Sequence, residues 1–389
     1  MRRFLSSAIG VLLLAIAAAV PQGAQATDDW IMYVGTYTKA PSKGIYAYRF
    51  EGATGKATPM GTAGLAAETE NPSFLAVHPN QKFLYAVNEV SKYEGKDAGS
   101  VSAFAIDRAT GTLTLLNRVS SRGGSPCHLE LDRSGKWLFV ANYGGGSVAA
   151  FPVQADGKLG EASAFFQHEG KSVNASRQSG PHAHETVVSP DNKFVLAVDL
   201  GLDKVFTYRL DPARGGLAPE PQFTAIAAGS GPRHLAFRPD GKFAYVVNEM
   251  LASVTAFRYD AGRGTLAELQ TISALQLGRT MTKDDSGAEI ATHPGGRFLY
   301  ASIRGYDSIA TFRIDAEKGT LTSVHRMPTG KTPRGFAIDP SGRFLVVGNQ
   351  NSGTLDVFRI DQRTGEPSST GTVIQVGSPV SVVFSKKGL

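Results

Sequence analysis

Residues 239–249 read PDGKFAYVVNE, which is a tight turn followed by a basic residue, an aromatic residue and a short run of β-forming residues. Pro, Asp and Gly are the residue types that a hairpin turn requires. Versions of this turn recur every 46 to 57 residues, which indicates one repeated structural unit. The aromatic residue of the six copies stands at positions 83, 137, 194, 243, 298 and 344.

A second turn falls later in each unit and contains a glycine. It reads DRATGTL at residues 107–113 and DAEKGTL at residues 315–321. Between the two turns lie short β-rich runs such as FLYAV at 83–87, and no part of the chain after residue 26 has sustained helical periodicity. The glycine of this turn occurs seven times, at positions 55, 111, 157, 215, 264, 319 and 365.

Seven such units predict an all-β fold, a seven-bladed β-propeller whose blades are four-stranded antiparallel meanders with strands A to D. The two ends of the chain complement each other. Residues 31–35, 44–50 and 58–65 resemble strands B, C and D of a blade without its A strand, and residues 378–384 resemble an A strand without its blade. Pairing the terminal strands would complete the seventh blade and remove exposed sheet edges.

The N-terminus predicts export. Arg2 and Arg3 precede an apolar run at 9–20 that is short for a membrane span, and Ala24-Gln25-Ala26 is a small-x-small cleavage pattern. We therefore interpret residues 1–26 as a signal peptide and residues 27–389 as one propeller domain, with a periplasmic or secreted location. No later segment reaches the length of a membrane span, so the mature chain is expected to be soluble.

Charge and cysteine content narrow the possible partners. The full chain has 40 basic and 34 acidic residues, and loss of Arg2 and Arg3 leaves 38 against 34. No run of Lys and Arg follows the pattern of nucleic-acid binding, so a small-molecule substrate is the expected partner. Cys127 is the only cysteine, so no intrachain disulfide can form.

Polar residues recur at one rim of the predicted central channel. The loop into strand A and the loop from B to C emerge on the same face, opposite the repeated turns. Charges of both signs at such a rim are costly unless they are paired or used on a ligand. We therefore expect a binding site at this mouth of the channel, with the charged candidates Arg233, Glu249, Glu289, Arg304 and Arg334.

Other polar residues at the rim have a structural explanation that competes with a functional one. An Asn or Asp at a strand end often bonds its own turn, as would apply to Asn88, Asn142, Asp199, Asn248 and Asn349. His78 and His293 precede the turn prolines on the opposite face, which favours surface or packing roles. His128 and His234 lie within A strands, where a structural role as hydrogen-bonded strand residues competes with a functional one.

His182 and His184 are two residues apart, so on a strand they point to the same side. That spacing allows a metal site, but no third ligand with clear spacing accompanies them, and no metal is predicted.

These residues resemble the seven-bladed lactonase family, which is the propeller type of 6-phosphogluconolactonase and includes fungal carboxy-muconate lactonizing enzymes among its relatives. The similarity extends over nearly the whole chain after residue 26. It is carried by GPHAH at 180–184, DLGLDKV at 199–205, GPRH at 231–234, YVVNE at 245–249, AEI at 288–290, RGYDSI at 304–309, TPR at 332–334 and GNQ at 348–350.

The resemblance implies opening or closing of a small lactone ring without a metal or cofactor. The muconate-type relatives use a His, an Arg, a Glu and a second Arg, which correspond here to His184 (or His182), Arg233, Glu249 and Arg304. Substrate contacts are expected from His182, His234, Glu289, Arg334 and Asp199. The family commonly has Asn and His where this chain has Ile303 and Tyr306.

A hydrolytic mechanism follows from those roles. Glu249 or His184 would take a proton from water, and Arg233 and Arg304 would hold the oxyanion. Export favours an unphosphorylated lactone or another exported compound as substrate. The alternatives are a non-enzymatic ligand-binding or scaffold propeller and a muconate-type lactonizing isomerase.

Overall fold

The computed structural model describes residues 29–387, which form thirty β-strands and one 3₁₀ turn at Pro212–Arg214. The signal peptide predicted for residues 1–26 lies outside the described residues. Within the described range no helix is long and apolar enough to cross a membrane.

The strands form seven antiparallel sheets, one for each blade. Blade 1 contains β1 (Asp29–Thr36), β2 (Gly44–Glu51), β3 (Ala57–Pro59) and β4 (Leu65–Glu68). Blade 2 contains β5 (Leu75–Val77), β6 (Phe83–Asn88), β7 (Ser100–Ile106) and β8 (Leu113–Ser120). Blade 3 contains β9 (Pro126–Leu131), β10 (Trp137–Asn142), β11 (Ser147–Pro152) and β12 (Ala164–Gln167). Blade 4 contains β13 (Ala183–Val188), β14 (Phe194–Asp199), β15 (Lys204–Asp211), β16 (Gly216–Leu217) and β17 (Gln222–Ala225).

Three blades and one strand follow. Blade 5 contains β18 (Pro232–Phe237), β19 (Phe243–Asn248), β20 (Ser253–Asp260) and β21 (Thr265–Ser273). Blade 6 contains β22 (Ser286–Thr292), β23 (Phe298–Arg304), β24 (Ser308–Ile314) and β25 (Leu321–Pro328). Blade 7 contains β26 (Pro333–Ile338), β27 (Phe344–Asn349), β28 (Thr354–Ile360) and β29 (Pro367–Gln375), and β30 (Pro379–Lys386) completes blade 1. The predicted seven-bladed propeller is confirmed.

The ring closes as the complementary ends predict. β30 pairs with β1 in antiparallel register from Trp30 opposite Lys386 to Thr36 opposite Pro379. The outer strand of blade 1 differs from the prediction of one strand over 58–65. It is split into β3 and β4, which both pair with β2, because Gly61, Ala63 and Gly64 adopt positive φ between them.

The hydrophobic core is itself a ring. Seven clusters of buried side chains lie at the seven interfaces between neighbouring blades. The cluster between blades 7 and 1 joins Val34 and Val382 to Phe344 and Leu355. Burial of this kind supplies most of the favourable free energy of folding, so no blade is independent of its neighbours.

The two repeated turns contact each other across the blade interfaces. The ring of Phe243 in blade 5 covers the turn glycine Gly319 of blade 6, where a Cβ would lie 2.1 Å from the ring. Gly319 also has a φ of 74°, so both its backbone and its surroundings require glycine. The same contact joins Phe83 to Gly157, Phe194 to Gly264, Phe298 to Gly365 and Phe344 to Gly55.

The strand-end amides are structural. Asn248 is fully buried and donates hydrogen bonds to Ser253 and Thr255 of the next strand. Asn142 and Asn349 donate equivalent bonds to the next strand, whereas Asn88 accepts one from Ser100. On the opposite face, His78 and His293 bond the backbone oxygens of Gly135 and Gly342 in the following blades.

Candidate active site

A cleft of about 370 Å³ lies where strands A begin and strands B end. Five of its lining residues occupy one position of the repeat, at or just after the end of a B strand. Cys127, His184 and Arg334 come from the first residues of A strands, and Arg177 comes from the loop between β12 and β13. The five B-strand residues are Tyr37, Glu89, Tyr143, Glu249 and Arg304.

A groove of about 470 Å³ on the turn face is larger, but its lining contains Lys136 as its one charged residue. The cleft at the channel mouth instead gathers three arginines and two glutamates, a formal surplus of one positive charge. The cleft therefore has the convergent polar groups that are expected of a ligand site, and the groove does not.

Glu249 is the centre of an ion cluster. Arg304 Nη2 lies 2.9 Å and Arg233 Nε 3.2 Å from its Oε2, and Arg177 Nη2 donates to its Oε1 at 2.6 Å. The carboxylate is 7% exposed. The structure thus brings together three of the four predicted catalytic residues and adds a third arginine to them.

These contacts determine the charge of Glu249. Burial by itself would raise the pKa of this carboxyl, but the opposing effect of Arg304, Arg233 and Arg177 is larger and lowers it to about 2. A carboxylate that resists protonation this strongly is a poor general base at neutral pH. Its geometry is that of an anchor that orients guanidinium groups.

The arginines differ in what they present to the cleft. Arg233 is 3% exposed, lies below the cleft and donates to the carbonyl oxygen of Ala288. Arg304 lines the cleft, and burial lowers its pKa to about 10. The buried Nε groups of Arg233 and Arg304 make no hydrogen bond of good geometry among residues 29–387, so the contact of Arg233 Nε with Glu249 is an ion pair only. Arg334 also lines the cleft, with its guanidinium 5.4 Å from the ring centre of Tyr37.

His184 lines the cleft, and His182 does not. His182 precedes β13, stacks on the ring of Tyr143 at 4.6 Å and bonds the backbone oxygen of Tyr143 through Nδ1. Burial first, and Arg233 next, hold the pKa of His184 well below its usual value, so this imidazole is neutral. Its Nδ1 lies 3.7 Å from the buried thiol of Cys127, whose pKa burial raises.

Asp199 does not line the cleft, although a substrate contact was expected from it. Its carboxylate is fully buried, accepts from the backbone N–H groups of His182 and Leu202, and lies 2.7 Å from His168 Nδ1. Gly201 completes this support, because a Cβ there would lie 2.0 Å from the Gly180 oxygen. Asp199 therefore holds the loop that carries His182.

His234 and Glu289 lie beneath the cleft in the channel. His234 Nδ1 is 2.9 Å from Glu289 Oε1, and burial raises the pKa of Glu289 to about 7. Both line a void of about 10 Å³, together with Glu89, Cys127, Arg233 and Arg334. Deeper still, His128 Nε2 lies 3.5 Å from Glu185 Oε1. Within residues 29–387 no group of three or more His, Cys, Asp or Glu side chains is placed to hold a metal ion.

Sequence reasoning missed Tyr37, Glu89, Tyr143 and Arg177. The first three follow Thr36, Asn88 and Asn142, as Glu249 follows Asn248, so the repeat register was a sufficient signal for them. Arg177 has no such signal. Its loop is shaped by Asn174 and Gln178, which bond within it.

The two departures from the family pattern lie outside the ion cluster. Ile303 is fully buried in the cluster between blades 5 and 6. Tyr306 donates to Gln276, and Arg279 lies 4.2 Å from the centre of its ring. Tyr306 thereby fastens the loop that precedes β22.

Comparison with known proteins gives a consistent result. Residues 31–384 match the family model described as "Lactonase, 7-bladed beta-propeller". A Bacillus subtilis protein named 6-phosphogluconolactonase is 38% identical over 91% of this chain and 98% of its own length, and one of the same name from Formosa agariphila is 37% identical over 79% and 86%.

A solved structure described as the periplasmic gluconolactonase of Pseudomonas aeruginosa is 37% identical. It superimposes with a TM-score of 0.85, covering 92% of this chain and all of that one. The propeller, its closure and these matches agree with the family expected from the sequence motifs, and the chain belongs to the seven-bladed β-propeller lactonase family.

Proposed function

We propose that this protein hydrolyses a sugar-type lactone in the cleft at the channel mouth. The observation that carries the proposal is the pair of guanidinium groups of Arg304 and Arg334 that line the cleft, with Glu249 fixing Arg304 at 2.9 Å. Fixed donors aimed at one small volume suit a reaction in which negative charge develops on a carbonyl oxygen.

Arg304 and Arg334 would stabilise the oxyanion formed when water attacks the lactone carbonyl. They would then hold the product carboxylate through charge-assisted hydrogen bonds. Arg233 was expected to share this role, but its place below the cleft suits it better to holding Glu249 from beneath.

Glu249 takes a different part from the one expected. A pKa of about 2 disfavours proton abstraction, whereas contacts to three arginines favour orientation of the oxyanion site. We therefore assign Glu249 as a positioning residue, which acts through the arginines that it holds.

The relatives support the reaction class, since two are named 6-phosphogluconolactonase and one a periplasmic gluconolactonase. The predicted export signal and the periplasmic relative together support an exported enzyme whose substrate is an unphosphorylated aldonolactone. A phosphorylated sugar lactone is a cytosolic compound, so an exported enzyme would not meet it.

The test is turnover by the purified mature protein of δ-gluconolactone and of 6-phosphogluconolactone, followed by proton release above the uncatalysed rate. We expect hydrolysis of the unphosphorylated lactone, and at least tenfold loss of kcat/KM in Arg304→Lys, because a point charge does not reproduce a planar fork. No turnover of either lactone by folded wild-type protein would refute the assignment. Exclusive turnover of the phosphorylated lactone would refute the substrate.

A further inference from the structure

Hydrolysis at this cleft requires a group that accepts a proton from water. Two titratable groups that line the cleft are poorly suited to that task. Glu249 is held by three arginines, and protonation of His184 would place an imidazolium beside Arg233 and Arg334. A base must be free at the oxygen or nitrogen that takes the proton.

Glu89 has such an oxygen. Tyr37 donates a hydrogen bond to its Oε2 at 2.9 Å, and no arginine or lysine among residues 29–387 lies within ion-pair distance of its carboxylate. Both backbone polar groups of Glu89 are bonded to Asn71. The Glu89 N–H donates to the Asn71 carbonyl oxygen, and the Glu89 carbonyl oxygen accepts from Asn71 Nδ2. The carboxylate is therefore held in place by the Tyr37 hydroxyl rather than by an ion pair.

Ring topology places Glu89 on the wall facing the ion cluster. Neighbouring A strands contact each other in the order β5, β9, β13, β18, β22, β26 and β30. Glu89 belongs to blade 2 and Glu249 to blade 5, which are as far apart as two blades in a ring of seven can be. A lactone between them would have the Arg304 guanidinium on the side of Glu249 and the Glu89 carboxylate on the other side, with Arg334 beside Tyr37.

Glu89 also lines the void of about 10 Å³ below the cleft, beside Ser73 and Cys127. That volume accommodates about one water molecule. The hydroxyl of Ser73 is buried and has no partner within the described range, so it supplies a polar contact for such a water. Glu89 is thus the carboxylate at the junction between the substrate cleft and a space of the size of the nucleophile.

We propose that Glu89 is the general base of the reaction and that Tyr37 positions it, an inference that rests on the proposed lactone hydrolysis. One O–H bond of water breaks and its proton goes to the free oxygen of Glu89, while the water oxygen bonds to the lactone carbonyl carbon. The carbonyl electron pair moves onto its oxygen, which faces Arg304 and Arg334. Collapse breaks the ring C–O bond, and the proton passes from Glu89 to the leaving oxygen. Water and lactone give one hydroxy acid, and Glu89 is a carboxylate again.

The experiment compares Glu89→Gln and Glu89→Ala with the wild type on whichever lactone the wild type hydrolyses. Glu89→Gln should lower kcat by about two orders of magnitude or more with KM changed less than threefold. Added formate should restore part of the kcat of Glu89→Ala, because a small carboxylate then takes the vacated place. Tyr37→Phe should reduce kcat less than Glu89→Gln, since the base remains but is less well oriented.

Glu94→Gln is the matched control, because Glu94 is an exposed glutamate of the same loop and should have wild-type kinetics. A kcat for folded Glu89→Gln within threefold of the wild type would refute the inference and leave the lactonase assignment intact. Loss of kcat in His184→Gln together with near-normal Glu89→Gln would identify His184 as the base. An inactive wild type would instead refute the proposed function itself.

Discussion

Glu249→Gln tests whether the ion cluster is built as described, because it keeps the size of the side chain and removes its charge. The pKa of Glu249 is lowered from an ordinary 4.5 to about 2. At about 1.4 kcal/mol per pH unit, this difference corresponds to roughly 3 kcal/mol of folding stability at pH 7. Removing one partner of a buried ion pair typically costs about 3–5 kcal/mol, which agrees.

The sign of the pH dependence follows from the direction of the shift. Because the folded-state pKa is below the unfolded one, the contribution is complete above about pH 4.5 and is lost as the pH falls through about 2. At pH 3 roughly half of it should remain. At about 2 °C per kcal/mol for a chain of this size, Glu249→Gln should melt about 6 °C below the wild type at pH 7 and about 3 °C below it at pH 3.

The assay is thermal unfolding followed by circular dichroism at both pH values. Glu68→Gln is the control, since Glu68 is 68% exposed and lies 3.7 Å from Lys43 in a surface pair that should contribute little. Equal melting temperatures of wild type and Glu249→Gln at pH 7, or a difference that does not shrink at pH 3, would refute the reasoning.

Three further predictions concern the ring and the terminus. Gly319→Ala should lower the free energy of unfolding by about 2–4 kcal/mol, because the new Cβ would meet the Phe243 ring. Gly371→Ala is the control, with a φ of 79° and open space around it, and should lower that free energy by about 1 kcal/mol. Equal losses for the two variants in urea titration would contradict the contact between the turns. Deletion of residues 378–389 removes β30 with buried Val380 and Val382 and should cost at least about 4 kcal/mol, so a truncated protein melting within a degree of the full chain would show that the ring closes differently. Intact mass measurement of protein exported by its native host should give a chain that begins at Thr27, and recovery of residues 1–26 on the soluble protein would contradict the predicted cleavage.

The fold could be predicted from sequence because its turns and strands have short local sequence patterns that recur along the chain. The turn at 239–243 and the turn around Gly319 are recognisable in single copies, and their recurrence identifies the blades. The contact between Phe243 and Gly319 was not predictable, since it joins two blades across 76 residues of sequence. The split of β3 from β4 also escaped prediction, because it depends on three positive φ angles in one short loop.

For the site, the sequence determined which residue types stand at the channel mouth, including Glu249, Arg233 and Arg304, because repeat register assigns each to a strand end. Only the tertiary structure shows which contacts these residues make. It places Arg177 on Glu249 from a loop without any repeat signal, and it buries Asp199, which holds the loop of His182. Glu89 lies on the opposite wall and accepts a hydrogen bond from Tyr37. The physical reason is that charge and proton affinity depend on neighbours a few ångströms away in space, and in a closed ring those neighbours come from blades that are far apart in the chain.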